Sequence, residues 1–151
     1  IYGGAMELDE IHEVAGTRLR SDDQRYTDKR RALVEVLESA GRPLSMPSIL
    51  EQSPGMAQSS VYRNLAVLEH AGIVRRIVTT DDHAAFELAE DLSDHHHHLI
   101  CSRCGAIEDF VVPATLEDEL ARVLTTAARR HHFEVSDHTL DLFGTCRDCA
   151  A

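Results

Sequence analysis

Two residue types in this chain are spaced for metal chemistry. All four cysteines fall in two C-x-x-C pairs, Cys101-Ser102-Arg103-Cys104 and Cys146-Arg147-Asp148-Cys149. A tight turn lets two thiolates converge on one ion, and two such pairs complete a tetrahedral four-thiolate zinc shell. The 41 residues between Cys104 and Cys146 exceed a zinc-ribbon spacer, so the ion would tie the tail to the start of its domain. Disulfides fit poorly with a cytoplasmic chain, and a redox C-x-x-C needs no second pair. Structural Zn(2+) is therefore the expectation, at ~10–16 kcal/mol of binding free energy. Such a shell is closed: it holds shape and performs no catalysis.

The second cluster is His95-His96-His97-His98. On a strand the side chains alternate, so His95 and His97 face one way while His96 and His98 face the other. One strand can thus seed two metal sites, and neutral imidazole suits zinc, nickel or iron(II). Glu87, Glu90, Asp91 and Asp94 lie close enough in sequence to add carboxylates. His138, eight residues before Cys146, is by itself more often a structural histidine than a ligand; His12, His70, His131 and His132 are read as structural or exposed.

The elements that must position these groups follow from periodicity. Residues 1–17 lack strong periodicity and read as a loose arm or short helix. From Thr27 a helix carries Leu33, Val36, Leu37 and Ala40 at core spacing and ends at Gly41 and Pro43. Ser45 caps a short helix bearing Ile49 and Leu50, and Ser59 or Ser60 caps a third with Val61, Leu65, Leu68 and Ala71 on one face. Residues 73–80 and 84–88 then read as two strands around the acidic turn Asp81-Asp82. Three helices and a hairpin describe a winged helix-turn-helix, whose third helix would enter the major groove. Its first turn displays Gln58, Ser59, Ser60, Tyr62, Arg63 and Asn64 to bases and phosphates.

Residues 91–94 read as a hinge. Beyond it come strands over 95–101, 106–111 and 134–143, and a helix over 115–130 capped by Thr115 with Leu116, Leu120, Val123 and Ala127 as its core face. The fold class is therefore α+β: an arm over 1–17, a winged-helix DNA-binding domain over 18–90, and a metal-binding dimerisation domain over 91–151. The last has too little core to stand alone, which suggests a sheet completed by a partner subunit.

The net charge of -11 argues against nucleic acid only as an average. Residues 17–80 carry ten Lys/Arg against seven Asp/Glu, whereas residues 81–151 carry five against fifteen. The basic block suits phosphate and the acidic block a separate task. No apolar run approaches the ~20 residues that span a bilayer, and no export pattern opens the chain, which reads as cytoplasmic with no membrane partner.

Taken together, Ser60-Val61-Tyr62-Arg63-Asn64-Leu65, Ala71-Gly72-Ile73-Val74, Phe86-Glu87-Leu88, the His run before Leu99-Ile100-Cys101-x-x-Cys104-Gly105, and His138-Thr139 through Phe143-Gly144-Thr145-Cys146-x-x-Cys149 resemble the ferric uptake regulator family over residues 25–149. The closing motif is most similar to zinc uptake regulators of actinobacterial type. The resemblance implies a repressor of metal-uptake genes, a homodimer reading a palindromic AT-rich operator in double-stranded DNA. It implies that Tyr62 and Arg63 contact DNA, that Cys101, Cys104, Cys146 and Cys149 hold structural zinc, and that His96 and His98 form a regulatory site at the hinge. It further implies an additional site of His95, His97, His138 and Glu117. The chain departs from the family pattern at Pro43, where iron-type members often carry a regulatory histidine, at Asp91, where zinc-type members use a cysteine, and in two residues inserted before the His run. Glu87 and His83 are the favoured remaining regulatory ligands, with Asp91 or Asp94 as substitutes. Zn(2+) is favoured over Fe(2+) or Mn(2+) as the sensed ion. A peroxide sensor of the same family is the alternative, and a zinc hydrolase a remote one, since no H-E-x-x-H pattern is present.

Overall fold

In the computed structural model, residues 6–79 and 83–151 are described. The elements are α1 (Leu8–Ser21), α2 (Asp28–Ala40), β1 (Leu44–Ser45), α3 (Met46–Glu51), α4 (Gln58–His70), β2 (Val74–Val78), β3 (Ala84–Leu88), β4 (His97–Cys101), β5 (Ile107–Phe110), α5 (Ala114–Arg129), β6 (Asp141–Gly144) and α6 (Arg147–Ala150).

Local chemistry explains most of the boundaries in the first half. The Thr27 hydroxyl accepts from the Arg30 amide to start α2, and Gly41 ends it in the left-handed region at φ 58°. Ser45 accepts from the Ser48 amide to start α3. Val61, Leu65 and Leu68 fall on one face of α4 and are buried. That helix, however, starts at Gln58 after Ala57 with no side-chain cap, so Ser59 and Ser60 lie in its first turn. β1, β3 and β2 form an antiparallel sheet in that order, with Arg75 directly opposite Glu87. The expected Asp81-Asp82 turn lies outside the described residues.

The expected N-terminal arm is instead a 14-residue helix that crosses the anticipated boundary at residue 17. Its Ile11, Ala15 and Leu19 are buried in the same core as Leu33, Leu37, Leu65, Leu68 and Phe86. Their spacing of four is helical; only a sequence window begun later hides it. From α1, Arg18 donates to the Gly72 carbonyl at 2.5 Å and pairs with Asp91. The anticipated hinge is a 3-10 turn over Glu90–Leu92 whose Leu92 closes this core.

The second half forms a sheet of order β5-β4-β6, with β5 antiparallel and β6 parallel to β4. Its strands are shorter than their sequence spans, because pairing with β4 begins only at His97 on one side and at Asp141 on the other. Pro113, not Thr115, occupies the cap of α5. The apolar face assigned to the core is uncovered: Leu116 is 54% exposed and Val123 53%. Among the described residues, Ile100 and Cys101 are the buried apolar side chains that follow Leu92.

Candidate metal centres and nucleic-acid interface

The four cysteine sulfurs lie within 4.8 Å of one another. Cys101 ends β4, Cys104 follows in the turn, Cys146 caps α6 and Cys149 lies within it, and the parallel β4–β6 pairing brings that helix alongside. Cys104 Sγ and Cys146 Sγ are 3.7 Å apart. A zinc tetrahedron with bonds of about 2.3 Å requires roughly 3.8 Å, whereas a disulfide requires about 2.05 Å. The amides of Arg103 and Cys146 each donate to Cys101 Sγ at 3.4 Å. Amides from Cys146, Cys104 and Arg103 bring the Cys101 thiol down to about 6, favouring the thiolate that binds metal.

The alternation expected along the His run is realised as two separate clusters. Glu87, His96 and His98 form one; His95, His97, Glu117 and His138 form the other. In the first, Glu87 Oε2 lies 3.0 Å from His96 Nε2 and 3.4 Å from His98 Nε2. Glu87 comes from β3 of the first sheet and the histidines from the start of the second, so the cluster spans the junction. Burial alone would raise the Glu87 carboxyl, but hydrogen bonds from His96 and His98, with the charge of Arg75, bring it to about 2. The bond to Glu87 conversely lifts His96 to about 9.

In the second cluster, Glu117 is 2% exposed. A buried carboxylate requires partners, and it has them: His97 Nε2 on Oε1, His95 Nε2 at 3.4 Å and His138 Nε2 at 3.3 Å. Burial raises the Glu117 carboxyl while the hydrogen bond and charge of His97 lower it further, so the net direction is down. His97 Nδ1 is buried with no hydrogen-bond partner among the described residues. Three imidazoles and a carboxylate converging at this depth suit a divalent ion.

A profile of the Ferric uptake regulator family matches residues 21–143. The chain belongs to that family. It is a metal-responsive, DNA-binding transcriptional regulator, and the family's members are regulators that act as DNA-binding dimers, not enzymes. The ferric uptake regulation protein of Legionella pneumophila is 33% identical over 138 residues, covering 87% of this chain and 96% of its own. The peroxide operon regulator of Bacillus subtilis is 31% identical over 149 residues, covering 96% and 97%. The structure of the Helicobacter pylori ferric uptake regulator Fur, described as revealing three functional metal binding sites, superposes with a TM-score of 0.73 at 24% identity, covering 99% of this chain and 97% of that one.

Other expected site residues of this regulator lie elsewhere. His83 is not in the Glu87 cluster. It sits on the same side of its strand by parity, but four residues place it roughly 13 Å away. Its carbonyl accepts from Thr79, and its Cβ approaches Gly105 in the cysteine turn. Asp91 pairs with Arg18, and the Asp94 carbonyl meets His96 Nδ1 at 2.7 Å. On α4, Tyr62 is 50% exposed, and Ser59 and Arg63 are exposed beside it. Asn64 is half-buried: Oδ1 accepts from Arg30 Nε at 3.1 Å, and Nδ2 donates to the Ser60 carbonyl at 2.8 Å. It braces α4 against α2. Among the described residues, no helix is long and apolar enough to cross a membrane.

Sequence reasoning missed Asp109, Asp141 and Arg75. Asp109 and Asp141 are the cross-strand partners of His98 on its two sides. Asp141 Oδ1 lies 3.0 Å from His98 Nδ1, and Asp109 Oδ1 lies 3.9 Å from Nε2. Only the strand register reveals them, and register is not visible in local composition.

Proposed function

We propose that this chain is a metal-activated repressor of metal-uptake genes, with zinc as the sensed ion, working as a homodimer on a palindromic operator. The observation that carries the reading is the Glu87/His96/His98 cluster, whose ligands come from both sides of the junction. An ion there would favour one relative orientation of the two halves, and only by its differential affinity for that orientation. A shift from mostly inactive to mostly active takes ~5.5 kcal/mol, within reach of a multidentate site. The selected orientation would set two α4 helices about one DNA turn (~34–36 Å) apart, with Ser59, Tyr62 and Arg63 toward the groove and Ser60 behind them.

Zinc is supported by the small donor number. Three converging ligands, with Asp109 at 3.9 Å from His98 Nε2 as the next, suit a four-coordinate shell. Octahedral manganese(II) would call for more oxygen donors. The four cysteines would hold a structural zinc, and His95, His97, Glu117 and His138 an additional ion. The partner subunit would cover the apolar face of α5 (Leu116, Val123, Leu124) together with Leu142 and Phe143.

The mixed imidazole–carboxylate set also accommodates iron(II), and the peroxide operon regulator matches nearly the whole chain. The competing reading is therefore an iron-dependent peroxide sensor in which a ligand histidine is oxidised. Operator binding titrated at buffered free zinc, iron(II) and manganese(II) tests both. Zinc activating at the lowest free concentration, with loss of the response in His96→Ala/His98→Ala, supports the proposal. A variant that still responds refutes it, and a histidine gaining oxygen after peroxide with iron(II) would favour the second reading.

A further inference from the structure

Arg75 belongs to neither histidine cluster, yet it grips the Glu87 carboxylate of the first and lies within ion-pair distance of Glu90, the residue that holds His95 of the second. It stands opposite Glu87 in the β2–β3 ladder. Its Nε and Nη2 donate to Glu87 Oε1 at 2.9 and 2.5 Å, a two-pronged grip on the oxygen that does not face the histidines. Its Nη1 lies 3.9 Å from Glu90 Oε2. The other Glu90 oxygen, Oε1, holds His95 Nδ1. A continuous chain of charged contacts thus runs from His96 and His98 through Glu87, Arg75 and Glu90 to His95. The Arg75 and Glu87 side chains are 25% and 6% exposed, so solvent screens this pair only partly.

We propose that Arg75 is a resident counter-ion that sets the metal threshold of the Glu87/His96/His98 cluster and couples its occupancy to that of the His95/His97/Glu117/His138 cluster. The inference rests on the reading of both clusters as metal sites. Glu87 satisfies the guanidinium in the metal-free protein, so a divalent cation arriving at Oε2 meets a carboxylate whose charge is already shared and a positive group close behind it. Binding there weakens the hold of Glu87 on Arg75. Glu90 Oε2 is the other carboxylate within reach, and charge-assisted hydrogen bonds favour its capture. Glu90 fixed in this way keeps His95 Nδ1 engaged. A carboxylate on the far ring nitrogen is the arrangement that orients a ligand histidine and presents Nε2 to an ion. Loading the first cluster therefore tightens the second.

The test uses the full-length protein with its four-cysteine site loaded, titrated with cobalt(II) and with zinc(II) against a competing chelator. His138→Ala isolates the first cluster and His96→Ala the second. In the His138→Ala background, Arg75→Gln should bind metal at the first cluster about tenfold more tightly, because a positive charge a few ångströms from the ion is removed, a gain that structural damage would not produce. With both clusters intact, the wild type should bind its second ion more tightly once the first is in place, and Arg75→Gln should bind the two independently. Unchanged first-cluster affinity, or coupling that survives in Arg75→Gln, overturns the inference. If His96→Ala leaves first-cluster binding intact, the proposed sensing site itself fails, and the two failures are distinguishable.

Discussion

Removing the C-terminal thiolates by Cys146→Ser/Cys149→Ser should unfold the second half of the molecule and spare the first. The imbalance follows from where the core lies. Leu33, Leu37, Leu65, Leu68, Phe86 and their neighbours fill the first half, with Leu92 as its last member. Among the described residues, the apolar side chains the second half buries are Ile100 and Cys101, worth roughly 1.5–3 kcal/mol for a side chain the size of Ile100. A four-thiolate zinc site contributes ~10–16 kcal/mol, several times more. Its two pairs also join the end of β4 to the segment after β6. Hydrogen exchange resolved by peptide is the direct assay. Residues 97–101, 107–110 and 141–144 should lose protection in the variant, while α2 and α4 keep theirs. Size-exclusion chromatography should show loss of the dimer, because the exposed α5 face is then unsupported. Protection of β4 and β6 that survives in metal-free variant protein would refute the reasoning, as would loss of protection in α4 to the same extent.

Four further outcomes are expected. Arg63→Ala should weaken operator binding by roughly 1–3 kcal/mol without changing metal content, measured by fluorescence anisotropy and metal analysis. Asn64→Ala should instead destabilise the fold by ~1 kcal/mol, the worth of its part-buried tie to Arg30, seen as a lower melting temperature with operator discrimination unchanged. Leu124→Glu, placing a charge on the uncovered face of α5, should give a monomer by sedimentation velocity. In metal-free protein, His96 is raised from 6.5 to about 9, so its contribution to stability is complete below 6.5 and is lost as pH rises through 9. Glu87, lowered from 4.5 to about 2, contributes above 4.5 and loses that contribution as pH falls through 2. The melting-temperature deficit of metal-free His96→Gln relative to wild type should thus be present near about pH 6 and vanish above about pH 9.5; a deficit that grows with pH would contradict the assignment.

The parts of this molecule legible in its sequence are those governed by local spacing. The C-x-x-C pairs, the two-residue alternation of His95–His98 and the four-residue spacing of Val61 and Leu65 each depend on neighbours a few positions apart. The parts that escaped depend on non-local pairing or on what lies beyond one chain. Asp109 and Asp141 reach His98 through strand register, and Arg75 reaches Glu87 across a ladder. His83 is favoured as a ligand by the resemblance alone, and nothing in local spacing tells that it falls outside the Glu87 cluster. The tie of Asn64 to Arg30 is equally hidden, because a polar residue at a helix start reads the same in sequence whether or not it braces a neighbour. The apolar stripe of α5 was correct in period and wrong in destination, because amphipathicity reports that a face will be covered and not what covers it.

The division of labour between the two halves follows from one asymmetry. The first half closes on aliphatic side chains and needs no ion to hold α4 in shape. The second half gathers its buried groups around charge: Glu117 against three imidazoles, His98 between Asp109 and Asp141, and four sulfurs around a common centre. Buried polar clusters of this kind are costly unless fully satisfied, which makes their arrangement sensitive to whether an ion is present. Among the described residues, one cluster, Glu87 with His96 and His98, draws ligands from both halves. A metal at the thiolate or Glu117 sites can stiffen the second half alone. A metal at Glu87 would act on the angle between the halves, and in the proposed dimer that angle would position α4 relative to its symmetry mate. On the proposed reading, sensing belongs to the Glu87/His96/His98 cluster because its ligands straddle the junction.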